Sequence, residues 1–138
     1  MKKSFFDTSI FIYALENNST AAQNLFQRAL TEGTVGTSTI TIMEYATGCL
    51  KYGKIERLNN FRYFLKSLMF EVVSVDDVIA LKAAEIRANY QFFKPMDALQ
   101  LATAFVARAD VFYTNDKQLL QYQDIAVELL PNVEDAQS

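Results

Sequence analysis

The sequence of 138 residues contains no histidine. This absence excludes a Ser-His-Asp or Cys-His catalytic site and every metal centre that has a histidine ligand. Any hydrolytic chemistry must therefore use carboxylates, hydroxyls, lysines or a metal ion held by oxygen ligands.

Cysteine is almost absent as well, because Cys49 is the only one in the chain. A disulfide within the chain is impossible, and we expect a protein of the reducing cytoplasm. Cys49 lies in an apolar helical pattern, where its ordinary role is that of a small buried hydrophobic side chain.

Long hydrophobic runs are missing too. No run approaches the roughly 20 residues of a membrane span, so we expect no membrane association. Two lysines precede an apolar stretch in MKKSFFDTSIFIYAL, but Asp7 interrupts the stretch and no small-residue cleavage site follows. We therefore predict a mature first strand and helix rather than a signal peptide.

Basic charge is not in excess, since the net charge is -3. The chain is therefore not a globally basic nucleic-acid binder. An acidic protein can still cleave nucleic acid when metal ions neutralise its carboxylates.

Strand patterns and helical patterns alternate along the chain. The predicted strands are 3–6, a short one within 33–38, 70–75, 111–114 and 125–130. The predicted helices are 8–15, 20–32, 41–51, 54–68, 77–91 and 95–108, with a short one after Asp116. Strands separated by helices need crossovers, hence a parallel sheet. We predict a three-layer α/β fold, with a mostly parallel sheet of four or five strands between helices. Residues 1–131 should form one domain, and 132–138 a flexible tail.

Acidic residues follow several of these strands. Binding sites in such sheets form beyond the carboxyl ends of the strands. Asp7 follows the first strand, and Asp116 follows the strand 111–114. The helix 95–108 runs roughly 20 Å away from Asp97, and the next strand returns over roughly 15 Å, which brings Asp97 back near Asp116. Glu44, one turn into the helix after the second strand, belongs to the same edge.

Each acid also has a simpler structural interpretation. Asp7 and Asp116 could be helix N-caps. Asp97 suits the positive end of its helix. Glu44 completes a capping box with Thr41.

The joint pattern indicates more than capping. Four carboxylates at one edge would repel one another without a cation. Clusters of oxygen ligands suit Mg²⁺ or Mn²⁺, and phosphodiester hydrolysis is an obvious use of such a site. Asp76 also follows a strand, but we expect it to be only a cap.

Four stretches, FFDTSIFIYAL, STITIMEYATG, KPMDALQLATA and YTNDKQL, resemble the motifs of PIN-domain ribonucleases in order and spacing. The nearest resemblance is to the VapC-type toxins of bacterial toxin–antitoxin pairs, and it extends from about residue 3 to 130. It implies a PIN-like fold and an endoribonuclease that uses Mg²⁺ or Mn²⁺. The residues that match the family's four acids, as catalytic and metal-binding groups, are Asp7, Glu44, Asp97 and Asp116.

The resemblance also assigns supporting residues. Thr8 or Ser9 and Thr114 match the family's supporting hydroxyls, and Asn115 precedes the last acid as it does in many members. Lys94 is a mild departure near the site, either as a phosphate contact or as a solvated surface charge. In the implied mechanism water attacks phosphorus in line, which leaves a 3′-hydroxyl and a 5′-phosphate.

The partners implied by the resemblance are an RNA substrate, a cognate antitoxin and a second copy of the chain. Not all aromatic residues of 41–68 can face the core, so some could form an apolar surface for a partner. These aromatic residues are Tyr45, Tyr52, Phe61, Tyr63 and Phe64. The densest basic region could guide an RNA backbone or be a solvated helical face; it contains Lys51, Lys54, Arg57, Arg62 and Lys66.

Two other readings compete with a nuclease. An aspartyl-phosphate phosphatase needs a second acid two residues after Asp7, where the chain has Ser9, and the lysine of a receiver domain follows a strand, whereas Lys94 precedes a helix. The remaining alternative is a binding module for RNA or protein that keeps the fold without cleaving.

Overall fold

The computed structural model describes residues 1–131, so the predicted tail 132–138 lies outside the described residues. Five strands form a single sheet, and every neighbouring pair is parallel. The strands are β1 (Lys2–Phe6), β2 (Gly33–Ser38), β3 (Glu71–Val73), β4 (Val111–Thr114) and β5 (Ala126–Leu129). Their order across the sheet is β3-β2-β1-β4-β5. The prediction of a parallel α/β sheet is confirmed.

Helices provide the crossovers between β1 and β4. They are α1 (Thr8–Leu15), α2 (Thr20–Glu32), α3 (Thr39–Lys51), α4 (Ile55–Ser67), α5 (Asp77–Asn89) and α6 (Pro95–Val106). A short 3₁₀ helix, Lys117–Gln121, joins β4 to β5. Within residues 1–131, no helix combines the length and the apolar content needed to cross a bilayer.

The sheet separates two hydrophobic cores, and β1 contributes a side chain to each of them. Successive residues of a strand point to opposite faces of the sheet, and Phe5 and Phe6 are both fully buried. Phe6 belongs to the core built with α1 to α4, where its ring stacks on Tyr113 at 5.2 Å. Phe5 belongs to the core built with α5 and α6. Helices therefore cover both faces of the sheet, as predicted.

Helix bounds agree with the predicted ones within about two residues, and the difference at the start of α3 has a local cause. Helix α3 begins at Thr39 because the hydroxyl of Ser38 caps it, accepting a hydrogen bond from Ile40 N–H at 3.1 Å. Thr41 is therefore a buried residue inside the helix, and the capping-box interpretation of Thr41 and Glu44 is wrong. Gly53, with a φ of +68°, follows the end of α3 as predicted.

The aromatic residues of α3 and α4 divide between core and surface. Tyr45 and Phe61 are buried and stack with ring centroids 4.1 Å apart. Tyr52 is 68% exposed and Tyr63 is 74% exposed. Cys49 is a free, buried thiol, as expected.

Candidate active site

The order in which the chain adds strands to the sheet reverses between β1 and β4. The crossovers after β1 lead to β2 and β3 on one side, whereas β4 and β5 lie on the other side. A crevice opens at the carboxyl ends of the two strands that flank such a switch point. A cleft of about 340 Å³ lies there. It is lined by Asp7, Thr8, Ser9, Ile12, Glu44, Met96, Asp97, Gln100, Asp116 and Leu119. All four predicted acids therefore meet at one cleft.

Asp7 leaves the end of β1 and caps α1. One carboxylate oxygen accepts hydrogen bonds from the Ser9 backbone N–H, at 3.0 Å, and from the Ser9 hydroxyl. The other oxygen accepts a hydrogen bond from the Thr114 hydroxyl. Burial raises the pKa of Asp7 to about 6, although the hydrogen bonds from Ser9 and Thr114 oppose that shift. Asp7 is thus both an N-cap and a poorly solvated carboxyl group at the cleft.

Asp116 leaves the end of β4 and caps the 3₁₀ helix, accepting a hydrogen bond from the Gln118 N–H at 3.0 Å. Its own N–H donates to the Thr114 hydroxyl at 3.1 Å. The Asn115 N–H donates to the Ser9 hydroxyl at 3.1 Å. Thr114 and Ser9 therefore tie the ends of β4 and β1 together through their hydroxyls. The structure brings all the predicted supporting residues to this edge.

Glu44 and Asp97 approach the cleft from opposite layers. Glu44 extends from α3, and its Oε1 accepts a hydrogen bond from the Thr8 hydroxyl at 2.6 Å. Asp97 lies in the first turn of α6, packed on the other face. Burial raises the pKa of Asp97, and the negative charges of Asp116 and, more weakly, Glu44 add to the shift. Lys94 opposes it.

One polar residue of the site was missed by sequence analysis. Gln100 is 4% exposed and bonds to hydroxyls of three neighbouring segments, those of Ser38, Thr41 and Thr8. The available signal was an amide in the small apolar stretch DALQLATA, one helical turn after Asp97.

Other acids and bases of the described chain lie outside the cleft. Asp76 only caps α5, accepting from the Ile79 N–H at 2.9 Å, as expected. None of the five basic residues of the 51–66 region, all within the described chain, lines the cleft. Arg62 and Lys66 instead border a separate cleft of about 380 Å³ that has no carboxylate among its described lining residues. Lys94 is exposed at the head of α6.

The donor atoms of the acidic cleft suit a hard divalent cation. Its ionisable lining groups are all carboxylates, and the remaining polar groups there are two hydroxyls and one amide. Among residues 1–131 no group of three or more acidic or cysteine side chains is arranged to bind one ion directly. Both oxygens of Asp7 and the Oε1 of Glu44 instead accept hydrogen bonds from hydroxyl donors. Mg²⁺ commonly uses only one or two protein carboxylates and keeps several waters, so this arrangement fits it.

The sequence profile of the PIN domain matches residues 4–125. This chain belongs to the PIN-domain family. Among curated proteins, none has a sequence that matches this PIN domain.

Solved structures share the fold of this PIN domain. VapBC2 from Rickettsia felis, bound to a DNA fragment from the promoter, superposes with a TM-score of 0.81 at 19% identity, covering 92% of this chain and 98% of that chain. DNA-bound VapBC from Salmonella typhimurium has a TM-score of 0.80 at 24% identity, covering 94% and 99%. A toxin–antitoxin complex from Klebsiella pneumoniae has a TM-score of 0.72 at 25% identity, covering 89% and 95%.

Proposed function

We propose that this PIN domain is a divalent-metal-dependent endoribonuclease and the toxin of a toxin–antitoxin pair. One observation carries the proposal: four carboxylates from four separate segments line a single cleft at the β1–β4 switch point. The unit proposed to act is the single domain of residues 1–131.

The proposed roles follow from where each acid lies. Asp7 and Asp97, with Glu44 or Asp116 or both, would hold Mg²⁺ or Mn²⁺ directly or through water. When bound, the ion supplies positive charge that orients and acidifies water and stabilises the phosphate. One carboxylate of the cleft accepts the proton of the attacking water. The Ser9 and Thr114 hydroxyls keep Asp7 in place.

The proposed partners are RNA, an antitoxin and a second copy of the chain. Relatives of the same fold were solved as VapBC or toxin–antitoxin complexes, which supports an antitoxin partner. The exposed rings of Tyr52 and Tyr63 on the α3–α4 pair provide apolar surface for such contacts. A cellular RNA substrate would also place the protein in the cytoplasm.

The decisive experiment compares two aspartates that both follow strands and cap helices. Asp7→Asn should lower the rate of Mg²⁺-dependent RNA cleavage by at least about 100-fold, a loss of about 2.7 kcal/mol of transition-state stabilisation. Asp76→Asn should cleave like the wild type, because Asp76 lies outside the cleft and Asn is an equally good cap. An unchanged rate in Asp7→Asn would contradict the proposal and favour a module that binds without cleaving.

The chemistry of the product ends tests the mechanism separately. Attack by water should leave 5′-phosphate and 3′-hydroxyl ends, which ligation and mass spectrometry of the fragments identify. Ends that carry a 2′,3′-cyclic phosphate would show that the ribose 2′-hydroxyl was the nucleophile, and they would refute this scheme.

A further inference from the structure

Gln100 is a buried amide that joins three segments beneath the acidic cleft. Its Oε1 accepts a hydrogen bond from the Ser38 hydroxyl at 2.7 Å. Its Nε2 donates to the Thr41 hydroxyl at 2.9 Å and faces the Thr8 hydroxyl at 3.4 Å. The amide thus links α6 to the start of α3 and the start of α1.

The network ends at the cleft on the carboxylate of Glu44, and this acceptor determines which group donates in each hydrogen bond. An ionised carboxylate can only accept, so the Thr8 hydroxyl must donate to Glu44 Oε1. Thr8 Oγ1 can then only accept from Gln100. The amide nitrogen must therefore face Thr8, and the amide oxygen must face Ser38.

A second branch of the network ends on the backbone. The carbonyl of Phe6 can only accept, so the Thr37 hydroxyl donates to it at 2.8 Å. Thr41 then donates to Thr37 across 2.9 Å and accepts from Gln100. Both branches begin at the two hydrogens of one amide group. The Thr8 and Thr41 oxygens also lie 3.3 Å apart, but the hydrogen of each hydroxyl is directed elsewhere, to Glu44 and to Thr37. A change at Thr8 therefore interrupts the branch that leads to the cleft and leaves the donors and acceptors of the other branch in place.

We infer that Gln100 is a positioning residue that acts through Thr8 to hold the carboxylate of Glu44 at the cleft. This inference rests on the proposed function, in the form in which Glu44 is one of the carboxylates that hold the metal ion. Glu44 is exposed on α3, and a free glutamate side chain loses rotamer entropy when it is fixed in one position. The Gln100–Thr8 pair provides that ordering before the ion binds. Substitution of a residue that orients a metal ligand in this way typically lowers the affinity for the metal by about 10- to 100-fold.

A titration of the whole chain with Mn²⁺ tests the inference without measuring cleavage. Electron paramagnetic resonance detects the free ion at each step of the titration. Gln100→Met and Thr8→Val should each raise the dissociation constant for Mn²⁺ by about 10-fold or more. Thr8→Ser keeps the hydroxyl and should therefore bind Mn²⁺ as the wild type does. Thr103→Val is the matched control, because it removes another buried hydroxyl from α6, one that donates to the Leu99 carbonyl of the same helix. It should leave the Mn²⁺ affinity within about twofold of the wild type.

A double-mutant cycle separates positioning from a general structural effect. If Gln100 acts through Glu44, Gln100→Met should not weaken Mn²⁺ binding further in a Glu44→Gln background. Its effect on the urea unfolding curve should remain the same in both backgrounds. An equal loss of affinity in both backgrounds would show that Gln100 acts only on the general structure, and would overturn the inference.

The remaining outcomes are also decisive. Wild-type affinity in a cooperatively folded Gln100→Met chain would overturn the inference and leave the proposed function intact. If Gln100→Met does not fold, Thr8→Val decides, because wild-type affinity there would overturn the inference equally. Failure of the wild-type chain to bind Mn²⁺ would overturn the proposed function and this inference with it.

Discussion

Asp7 holds a negative charge where burial disfavours it. The hydrogen bonds from Ser9 and Thr114 stabilise the ionised form, yet the net effect of the site is to raise the pKa of this carboxyl group to about 6. Asp97 is perturbed in the same direction by burial and by the charge of Asp116. A bound divalent cation would reverse this effect, since a nearby positive charge favours ionised carboxylates.

The first prediction concerns the metal-free protein. Asp7 binds its proton more tightly in the folded chain, with a pKa of about 6 against 3.8 for an unperturbed carboxyl group. Stability from this group is therefore present at low pH and lost as the pH rises from about 4 to 6. Asp7→Asn should remove that loss and raise the free energy of unfolding at pH 7 by about 3 kcal/mol.

Urea unfolding in EDTA between pH 4 and pH 7 measures this effect. The pH dependence of stability should be flatter in Asp7→Asn than in the wild type or in Asp76→Asn. A variant that is less stable than the wild type at pH 7, and equal to it at pH 4, would contradict the assignment of a raised pKa.

The second prediction concerns Lys94, an exposed cation whose charge lowers the pKa of Asp97. If Lys94 contacts a phosphate of the substrate, Lys94→Ala should weaken RNA binding and reduce the slope of log affinity against log salt by about 0.7. Lys51→Ala is the control, because Lys51 is exposed at the end of α3 and does not line the cleft. Equal salt slopes for the wild type, Lys94→Ala and Lys51→Ala would identify Lys94 as a solvated surface charge.

At the scale of elements, two of the four acids in the cleft are also helix caps. Asp7 and Asp116 each end a strand, cap the following helix and line the cleft. Capping is therefore confirmed for both residues, and it does not exclude the proposed role of the same carboxylates at the cleft. Local hydrogen bonding fixes each carboxylate close to the strand end, and the parallel sheet then brings the strand ends together.

The third prediction concerns how β2 pairs with β1. A Cβ on Gly33 would lie 1.9 Å from the carbonyl oxygen of Lys2, which is a backbone atom that cannot rotate away. Gly33→Ala should therefore destabilise the fold by about 3 kcal/mol. Gly48→Ala is the matched control, since Gly48 is an exposed position of α3 where a Cβ meets nothing within 4 Å. It should stabilise the fold by about 0.5–1 kcal/mol.

Urea unfolding at fixed pH measures both changes. Similar shifts of the unfolding midpoint in the two variants would mean that the β1–β2 pairing leaves more room than the structure shows.

At the scale of the whole molecule, the cleft joins the two layers of helices. Glu44 comes from α3 on the face of Phe6, whereas Asp97 comes from α6 on the face of Phe5. Asp7 and Asp116 lie between them at the ends of central strands. An ion bound by these acids would connect both cores through the sheet, so its binding energy would contribute to global stability.

The fourth prediction is that metal stabilises the whole fold. Mg²⁺ at 100 times its dissociation constant should raise the free energy of unfolding by about 2.7 kcal/mol. Glu44→Gln and Asp97→Asn should each lose most of this gain, and amide exchange at the starts of α3 and α6 should slow together in the wild type. Equal stabilisation of the wild type and both variants would place the ion elsewhere.

Features set by neighbouring residues could be predicted from the sequence, whereas features set by residues far apart along the chain could not. The strand–helix alternation and the acids at strand ends were predicted because periodicity and capping depend on a few neighbouring residues. The start of α3 was missed because Ser38 and Thr41 are equally plausible caps in the sequence, and only burial assigns Thr41 to the interior. Gln100 was missed because its partners lie 59 to 92 residues away along the chain.

The sequence by itself determined the class of fold and the kind of chemistry open to this chain. The absence of histidine excludes metal sites with imidazole ligands, and the carboxylates after the strands offer oxygen atoms as ligands instead. The tertiary structure alone decided the strand order, the reversal at β1 and β4, and the amide that connects Glu44 to the core. These features depend on contacts between distant segments, whose geometry is set by packing on the two faces of the sheet rather than by local residue preference.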